Sequence, residues 1–246
     1  MNNQNTARII ENNNGSNNVI QFPKLVDIKT PKTNSMYKKD GVLKSTPADP
    51  IRSIEDIKKI QQYFLSKKQI RNYAIFTIGI TFGLRASDLL KLKFSDVCND
   101  DYSVKSHCRI YEQKTKKFNN PSISSNAAAA ITMMIEKLDY PDFDEYIFQS
   151  IKSDVNGVRQ PITLSRLRTI LIKAAKDCHI DGHYSTHSLR KTFVYHMLKL
   201  NKGDQDAQLT VQAMLNHGSF KTTLRYCGLT QDKSDEMRSG LDQFLG

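Results

Sequence analysis

Behind Ser53, the apolar residues Ile54, Ile57, Ile60, Phe64 and Leu65 recur at three- and four-residue intervals, which predicts an amphipathic helix. Asp56, three residues after Ser53, gives that helix a start resembling a capping box. The next segment, "RNYAIFTIGITFG" (71–83), is apolar almost throughout and reads as a buried helix ending at Gly83. It is too short to span a bilayer. "RASDLLKLKFSDV" then predicts a short helix beginning near Ala86. The pattern changes in kind at "SHCRIYEQKTKKFNNPSIS" (106–124), which predicts two short strands, around 108–113 and 121–124, joined by a lysine-rich turn. Helical spacing returns in "SNAAAAITMMIEKL", "TLSRLRTILIKAAKDC" and "THSLRKTFVYHMLKL", then in the shorter "DAQLTVQAMLNH" and "SFKTTLRYCGL". A last amphipathic segment, "KSDEMRSGLDQFLG", closes the chain. The expected fold is mainly α with a small antiparallel β-hairpin, in one domain over residues 51–246.

Residues 1–50 break this pattern. The first twenty are rich in asparagine, and residues 24–50 carry surplus lysines and three prolines. They offer little apolar surface to offset the entropy of ordering, so a disordered, basic arm is expected. Over the whole chain, 36 Lys and Arg stand against 25 Asp and Glu, a formal charge of +11. That surplus favours a polyanionic partner, nucleic acid first. No signal peptide or membrane span is evident, so a cytoplasmic protein is expected. The cysteines at 98, 108, 178 and 227 form no C-x-x-C pair and have no zinc-ligand spacing.

Several polar groups stand out against this background. In "THSLRKTF", His187 and Arg190 share a face if Thr186 caps a helix, and a helix start carrying both is an anion site. Taken alone, H-x-x-R is common. His183 and His187 have the four-residue spacing of two metal ligands, but "YST" between them argues for a turn, and no third ligand accompanies them. Arg85 emerges just past Gly83, with Asp88 placed to hold its guanidinium. Lys114, Lys116 and Lys117 lie on the hairpin turn, which can be solvated or reach into a DNA groove. His217 sits between Asn216 and Gly218, two residues that tolerate a sharp turn, and Tyr226 lies about two helical turns further on. Cys227 beside it reads as a packing residue.

Taken together, these groups run in the order R…K…H-x-x-R…H…Y. From about residue 50 to 245 the chain resembles the tyrosine recombinase, or phage integrase, family. "TFGLRASDLLKLKFSDV" is similar to the family's first box, "HSLRKTF" to its second and "MLNHGSFKTTLRY" to its third, while "EQKTKK" matches its hairpin. The resemblance implies Arg85, Lys114, His187, Arg190, His217 and Tyr226 as the catalytic set. It also implies double-stranded DNA as substrate, and a tyrosine nucleophile that forms a 3′-phosphotyrosyl intermediate. No cofactor, metal or ATP is expected. Homo-tetramers on synapsed DNA are implied, with the segment after Asp232 packing either on a neighbouring subunit or on its own domain. Two departures accompany the match. Only about fifty residues precede the catalytic domain, where the family usually carries a separate core-binding domain, so an accessory protein is expected as a partner. Asn216 also stands where the family commonly has glycine. A type IB topoisomerase-like activity, or a DNA-binding protein that no longer cuts, would use the same scaffold.

Overall fold

A computed structural model describes residues 47–114, 116–215 and 219–245, the side chains of Gln231 and of residues 241–245 excepted. The basic arm as far as residue 46 and the joint that holds His217 therefore lie outside the described residues.

Helix α1 (Ile54–Ser66) starts where the pattern places it, with Ser53 Oγ accepting from the Asp56 amide. Its buried face is Ile57, Ile60 and Phe64, whereas Ile54 and Leu65 are exposed. At 100° per residue those two lie roughly 90° or more around the helix from the centre of the buried stripe. The chain is already docked before α1. The Ile51 amide donates to Thr192 Oγ1 at 2.9 Å, and Asp49 exchanges hydrogen bonds with His183, so order begins earlier than the helical periodicity suggests.

Helix α2 (Ile70–Phe82) is the centre of the main core, with Ala74 to Gly79 all buried. It packs on α5 (Ser125–Leu138) and α7 (Thr186–Leu200). Gly79 permits the second contact, because a Cβ there would lie 2.7 Å from Leu189 Cδ1. At its C-terminus Gly83 adopts φ 62°, ψ 19°, a left-handed conformation that favours glycine. The Phe193 ring occupies the space that a Cβ would need. The chain leaves this break into the short helices α3 (Ala86–Leu89) and α4 (Phe94–Val97).

The expected hairpin is present, but its second strand is shifted. Strands β1 (Ile110–Glu112) and β2 (Lys117–Asn119) pair with Glu112 opposite Lys117. The predicted strand at 121–124 contributes only an isolated bridge, His107 to Ser122, flanked by a bond from the Ile123 amide to the Ser106 carbonyl and one from the Cys108 amide to the Pro121 carbonyl. Pro121 has no N–H with which to return that bond. A second hairpin, β3 (Gln149–Ser153) with β4 (Arg159–Pro161), has no hydrophobic alternation to announce it. Its exposed Ile151, Val155 and Val158 bury little, and Asp154 with Gly157 (φ 79°) closes the turn.

Helix α6 (Leu164–Asp177) packs against α1 and α7. Helix α7 carries two cores on two faces. Leu189 belongs to the main core, while Val194, Tyr195 and Leu198 meet Val211 and Leu215 of α8 (Gln205–Leu215) and Cys227 of α9 (Phe220–Cys227). This second, smaller core holds α9 against α7. The last helix, α10 (Leu229–Leu245), starts after Gly228, and Arg52 ties its first turn down through Asp232 at 3.0 Å. Among the described residues no helix is long and apolar enough to cross a membrane.

Candidate active site

The glycine break sets the first arginine. Arg85 follows it in an extended conformation at the start of α3, and its guanidinium reaches across to β1. There Nη1 donates to Glu112 Oε2 at 2.5 Å. The carboxylate holding Arg85 is therefore Glu112, not Asp88 as the sequence spacing suggests. Glu112 is only 1% exposed, and its other oxygen accepts from Asn119 Nδ2 of β2 at 3.1 Å. Asp88 is buried on the other side of the hairpin root, where Oδ1 takes a long bond from the Gln113 amide and Oδ2 has no partner among the described residues. Two buried carboxylates thus tie the hairpin to the first arginine's helix. Lys114, exposed on the turn, is carried by that hairpin.

The second arginine is the hub. Arg190, 5% exposed on α7, donates Nη1 to the Gly83 carbonyl at 2.9 Å and Nη2 to the Leu215 carbonyl at 3.3 Å. One guanidinium therefore joins the end of α2, the end of α8 and α7 itself. Its charge also acts on the Tyr226 side chain. Burial lowers the Arg190 pKa, and neighbouring Arg85 pushes the same way, while Tyr226, Glu112 and Asp88 oppose them. Arginine stays charged under such shifts.

His187 lies in the first turn of α7, exposed, as the sequence implies, but the cap is Ser185 and not Thr186. Ser185 Oγ accepts from the His187 amide, and Ser188 Oγ accepts from the Ser185 amide, a reciprocal capping box. Partial burial lowers the imidazole pKa, and Lys191, Arg190 and Lys114 lower it further, so the neutral ring is favoured. Tyr226, on α9, is half-buried. Burial raises its pKa, and the charges of Arg190 and Arg85 pull it back down. Lys191 Nζ stands 5.2 Å from the centre of the tyrosine ring.

Arg85, Lys114, His187, Arg190 and Tyr226, far apart in sequence, therefore share one electrostatic neighbourhood. His217 lies outside the described residues. Glu112 and Lys191 are the site residues that sequence reading missed. The signal for Glu112 was available, because a carboxylate at the inward position of a strand, after buried Ile110 and exposed Tyr111, must have a partner. Nothing in the sequence marks Lys191. His183 Nδ1 lies 3.3 Å from the Pro47 carbonyl. Among the described residues no group of three or more His, Cys, Asp or Glu side chains converges. Two guanidiniums, an imidazole, an ammonium and a phenol in one neighbourhood suit an anionic ligand.

Residues 51–233 match the family described as the phage integrase family. The chain belongs to that family. Its tyrosine recombinases are enzymes that cut and rejoin DNA. The chain is 36% identical over 183 residues to the probable integrase/recombinase YoeC of Bacillus subtilis, covering 74% of this chain and 91% of the relative. It is 31% identical over 174 residues to tyrosine recombinase XerC of Halalkalibacterium halodurans, covering 68% of this chain but 53% of the relative. The chain thus spans about half the length of such recombinases. In fold it is similar to the XerA recombinase, with TM-score 0.59 at 24% identity, over 80% of this chain and 64% of that one. It is also similar to a lambda integrase tetramer bound to a Holliday junction, with TM-score 0.53 at 17% identity, over 75% of this chain and 50% of that one.

Proposed function

We propose that this integrase-family chain is a site-specific DNA recombinase whose nucleophile is Tyr226. The observation that carries the reading is the placement of Tyr226 within the electrostatic reach of the Arg190 and Arg85 guanidiniums, inside a matched family domain. In the proposed reaction the Tyr226 oxygen attacks a backbone phosphorus and the bond to the 5′-oxygen breaks. A 3′-phosphotyrosyl ester and a free 5′-hydroxyl result. One phosphoester replaces another, so no ATP is needed. The 5′-hydroxyl of a partner strand then reverses the step.

The roles follow from each group's surroundings. Arg85 and Arg190 offer bidentate donors to the nonbridging oxygens, where charge gathers in the transition state. Losing either should cost about two to three orders of magnitude in rate. His187, its pKa lowered by burial and by its cationic neighbours, is fit to accept the phenol proton. Lys114, exposed on the hairpin turn, would protonate the leaving 5′-oxygen. His217, next to the phosphate in the family pattern, adds a further donor. The burial that raises the Tyr226 pKa keeps the phenol protonated until such a base is in place. The +11 charge suits a duplex partner. Assembly into tetramers on synapsed DNA, help from an accessory protein and action in the cytoplasm belong to the same reading.

Covalent capture tests it. Wild-type protein and Tyr226→Phe are mixed with nicked duplex fragments of host DNA and denatured, and DNA that stays attached to protein is recovered. Adducts with wild type alone, mapped to Tyr226 by mass spectrometry, are expected. Tight DNA binding without any adduct would favour a non-cutting scaffold, and an adduct on another tyrosine would overturn the choice of nucleophile.

A further inference from the structure

We propose that a cavity at the opposite end of α2 from the catalytic centre is a second phosphate site, with Arg71 as its floor. The cavity measures about 430 Å³ and is lined by Lys68, Arg71, Lys137 and Arg159, with no Asp or Glu among its lining residues. Arg71 is half-buried. Its Nη1 donates to the Gln149 carbonyl at 2.6 Å, which staples α2 to β3, but its Nε is buried with no partner among the described residues. A staple alone leaves that donor and the charge unexplained. No carboxylate pairs with Lys68, Arg71, Lys137, Arg159 or Arg166 among the described residues. Burial lowers the Arg71 pKa, and the charge of Arg166 lowers it further.

A partly buried cation without a counter-charge is costly, and a bound anion offsets that cost. Guanidinium forks match the geometry of phosphate oxygens, and lysines on an exposed rim supply further charge without a fixed direction. The ligand class is therefore a phosphate group. Two sources share this chemistry, a DNA backbone phosphate and a small phosphorylated compound, and we favour DNA. From Arg71 to Gly83 is twelve residues of helix, about 18 Å. A duplex over the catalytic centre covers that distance in about five base steps of roughly 3.4 Å. The choice of DNA rests on the proposed function, whereas the phosphate site does not.

The test uses the full chain and inorganic phosphate as probe, with chloride at equal ionic strength as control. Phosphate should raise the melting temperature of the wild type. Arg71→Gln and Arg159→Gln should each lose part of that increment, the remainder belonging to the catalytic centre. In parallel, duplex affinity is measured against salt. If the source is DNA, each variant lowers the slope of log K against log salt by about 0.9, with the cleavage rate at saturating DNA unchanged. A reduced increment with an unaltered slope keeps the phosphate site and assigns it to a small compound. An increment that neither variant changes overturns the proposal, whatever the slope does. Should Arg71→Gln fail to fold, Arg159→Gln and Lys137→Gln, both on the exposed rim, carry the same test. The phosphate arm runs equally well on Tyr226→Phe, so its failure is read separately from a failure of covalent capture.

Discussion

Replacing Glu112 asks whether the hairpin controls the first arginine. Its carboxylate, 1% exposed, holds Arg85 on one oxygen and Asn119 on the other. Breaking a fully buried ion pair from one side costs about 3–5 kcal/mol. Here the Arg85 side chain is 21% exposed, so water can re-solvate part of the stranded charge. The remaining loss is one charge-assisted bond, about 1.5–3 kcal/mol, plus some of the neutral bond to Asn119. Glu112→Ala should therefore destabilise the domain by about 2–3 kcal/mol. Glu112→Gln, which keeps an acceptor, should cost about half as much. The larger effect falls on chemistry, because an arginine released from its anchor no longer waits where the phosphate arrives. Misplacement by about 1 Å costs about 10²-fold in rate. Urea unfolding gives the first quantity, and single-turnover cleavage of a nicked duplex well below the unfolding midpoint gives the second. Asn119→Ala is the control, expected to cost about 1 kcal/mol and leave cleavage intact. A Glu112→Ala protein that cleaves at the wild-type rate would refute the reasoning, even if it proved less stable.

Gly83→Ala combines a left-handed backbone with a collision against Phe193 and should lose at least about 2 kcal/mol of stability, read by thermal unfolding. The His187 pKa is lowered in the folded chain, so the unfolded chain binds the extra proton as pH falls below the ordinary value of 6.5. Stability should therefore fall as pH drops from about 7 to about 5, and His187→Gln should flatten that limb in urea titrations. All four cysteines are free, but Cys98, Cys108 and Cys227 are buried. Burial pushes the Cys108 thiol up to about 12. Native alkylation with iodoacetamide should mark Cys178 first, and early labelling of Cys108 by peptide mapping would contradict the packing described.

Periodicity alone was enough to place α1, α5 and α6, because each buries one stripe, and a stripe repeats in sequence, whereas α2 showed as an unbroken apolar run. Gly83 was legible as the end of α2, since the left-handed turn that follows suits glycine. The order R…K…H-x-x-R…H…Y was legible too, as residue types at spacings a family shares. The partners of those residues were not. Asp88 is the nearer carboxylate to Arg85 in sequence, yet Glu112 holds it, because the chain turns away at Gly83 and β1 crosses in front. The bonds of Arg190 to the Gly83 and Leu215 carbonyls, and its charge beside Tyr226, join segments that no local spacing connects. The second hairpin was missed because its apolar side chains face outward and so leave no alternation to detect. Sequence settled which faces must be buried, since hydrophobic spacing acts within one element. Only the tertiary structure decided which charge meets which, because a buried guanidinium takes whatever acceptors the packing of distant elements brings within reach.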